Sequence, residues 1–305
     1  MNNSELRIGL IGSQSMHAWA FAQACNEPLQ NGNYRFPNVR VTAVYGVDDT
    51  PEHLLTTMEK GSIPRAVSSL EELIENCNAF MILQRRGEEH MAFAEKLIEK
   101  GYPVFIDKPV CCSQADLQKL AQLAKRHDAV ICGGSGFKYN KQILALKEKI
   151  ASDALGHITD ACITYSADTE SPFGGIFFYL PHAVEVMLEL FGYDWQKLRV
   201  DVETHDHFRV HVTYPNREIC LNLNNSKICR VEISAERAIS EEIDASDIFI
   251  ENMRHFVTAA QNQQITKDTA LLTEHVRLIL AVNEAIESKT EIYRAQIYKA
   301  TVQSV

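Results

Sequence analysis

The chain has 305 residues, 46% of them hydrophobic and 23% charged. At roughly 150 residues per domain this suggests about two domains, each able to bury a core, and argues against long disorder, a collagen-like rod or a disulfide-bound miniprotein. Thirty Lys+Arg against forty Asp+Glu leave a net charge of −10; the basic residues are scattered, so binding to nucleic acid or to an anionic membrane is not expected.

The eight cysteines, at 25, 77, 111, 112, 132, 162, 220 and 229, form no C-x-x-C pair, so zinc-ribbon and thioredoxin spacings are absent. Most lie in apolar stretches and are expected as buried free thiols in a reducing cytosol. Met1 to Glu5 shows neither a basic n-region nor an apolar h-region, and no run approaches the ~20 apolar residues of a membrane span. A cytoplasmic protein is the expectation.

Leu6 to Ile11 is strand-like and runs into Gly12. A helix over Met16 to Cys25 and a strand over Val39 to Tyr45 follow. Ile63 to Val67 reads as a short strand, interrupted by Pro64. Ser69 and Glu72 have the spacing of a capping box for a helix over Ser68 to Glu75. Ala79 to Leu83 is a short buried strand, and Glu88 to Lys100 a helix stopped by Gly101. Val104 to Ile106, a helix over Ser113 to His127 with Ser113 as N-cap, and Ala129 to Cys132 complete a βα alternation. This pattern predicts a doubly wound parallel sheet with ligand sites at the carboxyl ends of its strands, ending near residue 135.

Beyond it the pattern changes. A helix over Asn140 to Ala151 precedes an alternating strand over His157 to Asp168 and an apolar stretch at 174–191. Strand-like segments near 198–204, 207–214, 217–223 and 228–235 imply a largely antiparallel sheet, with a hairpin turn at Tyr214 to Arg217. Two helices, about 246–262 and 268–288, close the chain, the first placing Ile248, Phe249, Asn252, Met253, Phe256, Val257 and Ala260 on one face. The predicted fold class is α/β: a Rossmann-like domain over residues 1–135 and an α/β domain with an open, mostly antiparallel sheet over 136–305.

Four segments could carry chemistry. Gly12-Ser13-Gln14-Ser15-Met16-His17 follows the first strand, where G-x-G-x-x-G would let a backbone approach a pyrophosphate; only Gly12 of the three glycines is present. Helix-terminal amides there could still hold phosphate, or the turn could bind nothing. At the end of the second strand the acid expected to grip ribose hydroxyls is replaced by Gly46; Asp48 comes two residues later and could instead cap the next helix. That absence is compatible with NADP or with a weakened site. Asp107-Lys108-Pro109 puts a lysine at a strand's carboxyl end, with the proline holding its backbone extended, although such a tripeptide also suits a solvated turn. Gly174 to Glu185 contains Pro181 at a helix start and His182 just after it, where the helix dipole disfavours imidazolium. A neutral imidazole there could accept a proton, or be a capping or core histidine.

In this order and spacing the segments resemble the Gfo/Idh/MocA family of oxidoreductases. The resemblance runs through Ile8-Gly9-Leu10-Ile11-Gly12, the helix holding His90, Val104 to Pro109 as the family's E-K-P segment, and Leu155-Gly156-His157-Ile158. It continues through Gly174-Gly175, His182 and Glu185 as H-x-x-D/E, and the helix ending in Glu287-Ser288. It implies a Rossmann domain binding NAD or NADP and reversible hydride transfer to or from a sugar, polyol or related hydroxyl carbon. Lys108 would polarise or help deprotonate the hydroxyl and His182 accept its proton, the two meeting beside the nicotinamide. Gly12, Gln14, Ser15, Met16, Arg85 and Asp107 would bind cofactor, and Tyr179 and Lys138 substrate. A homodimer or homotetramer through the C-terminal sheet is implied, with a small-molecule substrate as partner.

The chain departs from the family pattern at several positions. Phe178 stands where an acid often supports the histidine, and the Tyr179 hydroxyl could substitute. Arg85-Arg86-Gly87 replaces the usual Thr-Pro-Asn; those arginines could meet phosphate or an acidic substrate, or be surface charges. A non-catalytic relative that binds a dinucleotide or sugar and regulates a partner is the alternative. A metal-dependent hydrolase ranks third, because no paired carboxylate and histidine cluster lies near these motifs. His205, His207, Arg209 and His211 share one face if the segment is a strand, but such a face suits a surface or subunit interface better than zinc.

Overall fold

The structure, a computed structural model, describes residues 5–127, 130–263 and 268–297. It divides into two compact units. One takes the residues up to Cys111, Lys119–Gly134 and Phe249–Leu272; the other takes Cys112–Gln118, Ser135–Ile248 and the residues from Thr273.

The first unit alternates strands and helices. They are β1 (Leu6–Ile11), α1 (Met16–Asn26), β2 (Val39–Tyr45), α2 (Pro51–Gly61), β3 (Ala66–Val67) and α3 (Leu70–Asn76). Then come β4 (Ala79–Ile82), α4 (His90–Glu99), β5 (Val104–Ile106), α5 (Gln114–Arg126) and β6 (Ile131–Gly133). The sheet order is β3-β2-β1-β4-β5-β6 and the paired strands are parallel. The order reverses between β1 and β4, the place where doubly wound sheets bind ligands. β4 is buried at every position because helices cover both faces of the sheet. Ile8, Leu10, Val41, Met81 and Phe105 form the core. A helix from much later in the chain, α8 (Ile248–Asn262), adds Met253, Phe256 and Val257 to that core. Burying each such side chain contributes roughly 1.5–3 kcal/mol.

Local details differ from the sequence expectations. The strand expected over 63–67 is only Ala66–Val67, because Pro64 cannot donate to a ladder. The Ser69 hydroxyl accepts the Glu72 N–H, but the Glu72 carboxylate reaches past it to the N–H and hydroxyl of Ser68, which together offer two donors. Thr50, not Asp48, caps α2; Asp48 has φ +50° in the turn before it. Gly101, φ +77°, follows the last residue of α4 and its cap.

The second unit contains α6 (Lys141–Ala151), β7 (Ile158–Ser166), α7 (Leu180–Phe191), β8 (Lys197–Thr204), β9 (His207–Tyr214), β10 (Arg217–Asn224), β11 (Cys229–Ala235) and β12 (Ile239–Ile243). It also takes most of α9 (Asp268–Ser288), and β13 (Ile292–Tyr293). Its sheet runs β12-β11-β7-β10-β9-β8-β13; β7 and β10 are parallel and the other neighbours antiparallel. Pro215 and Asn216 link β9 to β10, with Tyr214 opposite Arg217. β12 and β13 have no clear signal in the sequence: the first is a glutamate-bearing edge strand and the second has two residues. α7 is buried on nearly all sides, and Trp195, Phe208, Leu221 and Val231 face the same core.

His205 lies outside β9, in the turn before it, so it does not extend the strand face of His207, Arg209 and His211. Its Nδ1 meets Asp168 at 3.0 Å, while His211 sits between Asp201 and Glu218 at 3.2 and 3.0 Å. Among the described residues no group of three or more His, Cys, Asp or Glu side chains is arranged to hold a metal. All eight cysteines are free thiols, with Cys112, Cys162 and Cys220 partly exposed. No described helix is long and apolar enough to cross a membrane.

Candidate functional site

In the first unit the turn after β1 is shaped by backbone needs. Gly12 has φ +93°, and a Cβ there would lie 2.9 Å from Gln84 Cγ and 3.0 Å from Gln84 N. Both the left-handed conformation and the approach of the segment after β4 therefore demand glycine. Ser15 caps α1, accepting the His17 N–H at 3.2 Å. The first amides of α1 then lie outside the helix's own ladder, a setting that favours an anion. One oxygen of Asp49 accepts both the N–H and the hydroxyl of Ser13. Its other oxygen, Oδ1, and Gln84 Oε1 are buried and have no hydrogen-bond partner. Two buried acceptors thus adjoin the Gly12-Ser13 turn. Buried acceptors ordinarily find donors, and the vicinal hydroxyls of a ribose are donors of that kind. The residues present fit a dinucleotide.

His17 occupies the position of the fingerprint's third glycine. Its Nδ1 meets Asp107 Oδ2 at 2.7 Å, and its ring packs edge-on against Phe249, with centroids 4.9 Å apart. Asp107 and Lys108 follow β5 and are buried, 3% and 6% exposed. Burial pushes the Asp107 carboxyl up, but the charge and hydrogen bond of His17, helped by Lys108, hold it below the usual carboxylate range. Burial pulls the Lys108 ammonium down; Asp107 opposes that shift and the Arg85 guanidinium adds to it. Arg85 is half-buried, whereas Arg86 is exposed and pairs with Glu88 at 3.2 Å. His90 is fully buried with Nε2 at 2.8 Å from the Gln84 carbonyl, and burial keeps its imidazole below the ordinary value.

In the second unit a 3-10 turn over Gly136–Tyr139 precedes α6, and Ser135 caps it. His182 is the third residue of α7 and Glu185 lies three further on, so the two share a helix face. Ser135 Oγ and His182 Nδ1 share a 2.7 Å hydrogen bond, and Glu185 Oε1 accepts the Ser135 N–H at 2.8 Å. The Lys138 ammonium lies 2.9 Å from Glu185 Oε2, with His275 Nδ1 at 3.5 Å from the same oxygen. Burial, with Lys138 nearby, holds His275 well below the ordinary imidazole value. Phe137 and Tyr165 stand edge-on to the His182 ring at 5.4 and 5.1 Å.

The expected residues are therefore placed as follows. Gly12 forms the turn, Ser15 is the cap of α1, and Met16 is half exposed beside the half-buried Gln14. Asp107 is engaged by His17, and Arg85 acts on Lys108 through its charge. Tyr179, 37% exposed, precedes α7 and packs edge-on against Phe178. Lys138, expected at the substrate, has its ammonium on Glu185. Sequence reasoning missed Asp49, Gln84 and Ser135. Asp49 had a weak signal, an acid soon after β2, but the turn at Asp48 is what brings it to Ser13. Ser135 had none, because its partners lie 47 and 50 positions away.

Comparison with known proteins agrees with this layout. Residues 6–135 match the GFO_IDH_MocA family model, described as an oxidoreductase family with an NAD-binding Rossmann fold. The uncharacterized oxidoreductase YdgJ of Escherichia coli K12 is 23% identical over 244 residues, covering 72% of this chain and 65% of that protein. A second from the same organism, YhhX, is 24% identical over 162 residues, 48% of this chain and 47% of its own length. The chain thus matches about two thirds and half of these relatives. Among solved structures, apo scyllo-inositol dehydrogenase from Lactobacillus casei is similar with a TM-score of 0.79 and 13% identity, covering 97% of this chain and all of that one. An oxidoreductase from Agrobacterium radiobacter, solved with NAD+, L-tartaric acid and magnesium, gives 0.75 and 14%, covering 95% and 98%. Residues 6–135 are thus similar to the Gfo/Idh/MocA oxidoreductase family, with its NAD-binding Rossmann fold.

Proposed function

We propose that the protein is an NAD(P)-dependent oxidoreductase that transfers a hydride between nicotinamide and a hydroxyl carbon of a sugar, polyol or related small molecule. The observation that carries this reading is a buried Lys108 at the carboxyl end of β5, its ammonium weakened by burial, in the same unit as the Gly12 turn and its two buried acceptors. An inositol dehydrogenase and a tartrate-bound oxidoreductase among the similar structures support a polyhydroxylated substrate.

In this reading residues 1–135 bind cofactor, and 136–305 serve substrate binding and oligomerisation. The first amides of α1, around Gln14, Ser15 and Met16, receive the pyrophosphate, and Asp49 Oδ1 and Gln84 Oε1 accept ribose hydroxyls. The Asp49 carboxylate repels a 2′-phosphate, which favours NAD over NADP. A bound nicotinamide supplies the hydride acceptor. Lys108 polarises the reacting hydroxyl. His182 takes the hydroxyl proton, and Tyr179 orients the substrate. Lys138 acts on substrate only through the shape of the turn it anchors. The polar face of the second unit's sheet is read as the surface of a homodimer or homotetramer, and the free thiols as a mark of the cytoplasm.

A non-catalytic relative remains the second reading, favoured by the two missing fingerprint glycines and by the engagement of Asp107 with His17. Titration of NADH and NADPH, followed by protein fluorescence, with turnover on a polyol panel, separates them. The enzyme binds NADH more tightly than NADPH and turns over a polyol, and Lys108→Ala loses ~10²–10⁴-fold in kcat while still binding NADH. Binding without turnover supports the regulator. Binding of neither cofactor ends both dinucleotide readings.

A further inference from the structure

His182 and Glu185, three residues apart on one face of α7, clamp a single residue between them: Glu185 takes the Ser135 N–H and His182 meets its hydroxyl. The hydroxyl is also fixed from its own side of the chain, since it accepts the Phe137 N–H at 3.2 Å. The turn that follows depends on Gly136, where a Cβ would collide with the Ile248 carbonyl oxygen. Ser135 is 1% exposed, so neither its rotamer nor its backbone has room to swing.

A serine hydroxyl offers one proton and two lone pairs. One lone pair receives the Phe137 N–H, which leaves one acceptor site and one donor for Nδ1 of the imidazole. When Nδ1 carries its proton, it donates to Ser135 Oγ; when Nδ1 is bare, Ser135 donates to it. The bond forms with either tautomer, and in the first, with Nδ1–H held on Ser135 Oγ, Nε2 carries no proton and can accept one. A carboxylate, an acceptor only, would hold just the first of these forms. Phe178, four residues before His182, brings no carboxylate.

We propose that Ser135 is the positioning residue for His182: its clamped hydroxyl holds the ring through Nδ1 and commits Nε2 to the proton transfer in both reaction directions. This rests on His182 being the proton acceptor of the function proposed above. In oxidation the substrate O–H bond breaks, its proton binds Nε2, and the carbon's hydride leaves to the cofactor while Nδ1–H stays on Ser135 Oγ. The reverse step returns the same proton from Nε2.

The test pairs a spectroscopic readout with kinetics. Ring ¹⁵N resonances of His182, assigned by loss in His182→Gln, are compared in the full-length wild type, Ser135→Ala and Ser135→Thr. Ser135→Ala is expected to move the Nδ1 resonance and lower kcat about tenfold, the loss that one neutral hydrogen bond accounts for, with KM within about twofold. Ser135→Thr, which keeps the hydroxyl, is expected to restore both. An active wild type whose Ser135→Ala variant keeps its ring resonances, or moves them without losing kcat, overturns the assignment. A wild type that turns over no polyol fails earlier, at the reading of His182, and shows itself as such before any variant is compared.

Discussion

Each unit buries a carboxylate against a lysine and a histidine, and the two groups are built differently. In the first, Asp107 meets His17 at 2.7 Å and is followed directly by Lys108. His17 keeps 17% of its side chain exposed, and burial and Arg85 weaken the Lys108 ammonium. In the second, Glu185 lies 2.9 Å from Lys138, 3.5 Å from His275 and on the Ser135 N–H, with all three side chains at most 8% exposed. The same residue types therefore do different work. In the Asp107 group burial and the Arg85 charge lower the lysine's basicity against the pull of Asp107. The Glu185 group commits its lysine to an ion pair and in return fixes the turn that carries Ser135.

The largest expected effect tests that contrast. Glu185→Ala leaves the Lys138 ammonium buried without its carboxylate, a loss of roughly 3–5 kcal/mol. Asp107→Asn keeps an acceptor for His17, which can reach water, and is expected to cost about 1–3 kcal/mol. Urea unfolding can follow each unit separately, because the chain has two tryptophans, Trp19 in the first unit and Trp195 in the second. Equal losses in the two variants would show that the groups are energetically alike and that the contrast is only geometric.

A smaller effect sharpens the account of the first unit. Gly12 and Gly101 both have positive φ, +93° and +77°, but a Cβ at Gly12 meets Gln84 whereas nothing lies within 4 Å at Gly101. Gly101→Ala carries the conformational cost alone, about 1 kcal/mol. Gly12→Ala adds displacement of the Gln84 backbone and is expected to cost ~2–3 kcal/mol. Fluorescence titration should show NADH binding weakened in Gly12→Ala and unchanged in Gly101→Ala. A Gly12→Ala variant that binds NADH normally would separate the turn from cofactor binding.

The contrast also explains what could be read from the sequence. The parallel sheet announced itself through short apolar strands alternating with helices, because burial on both faces leaves little choice of residue. Asp107-Lys108 was legible because the two are adjacent and end a strand. Glu185 was legible as part of a spacing on α7, but its partner Lys138 was assigned to substrate, since an ion pair across 47 positions has no sequence signature. Asp49 carries little signal in the sequence, because it reaches Ser13 through a turn in which Asp48 has a positive φ. The apolar face of α8 was visible in its periodicity, yet periodicity does not say which core receives it. Met253 and Phe256 pack with β-strand residues more than 120 positions earlier.

The smallest effect concerns acid. His90 in the first unit and His275 in the second are both held below the ordinary imidazole value of 6.5, chiefly by burial. Below pH 6.5 the unfolded chain binds a proton at each, while the folded chain resists until its own lower value is reached. Stability therefore falls as pH drops from about 6.5, by up to ~1.4 kcal/mol per unit for each histidine. Asp107 acts in another window: its stabilising contribution persists above its ordinary value of 3.8 and is lost as pH falls through its depressed folded value. Acid unfolding between pH 6.5 and 5 should thus report the histidines alone among these groups. His275 is pushed the further of the two, so His275→Gln is expected to flatten the pH dependence seen by Trp195 and to leave that seen by Trp19 nearly unchanged. If the Trp19 signal flattens instead, His275 is coupled to the unfolding of the first unit, and the two carboxylate groups cannot be treated as separate devices.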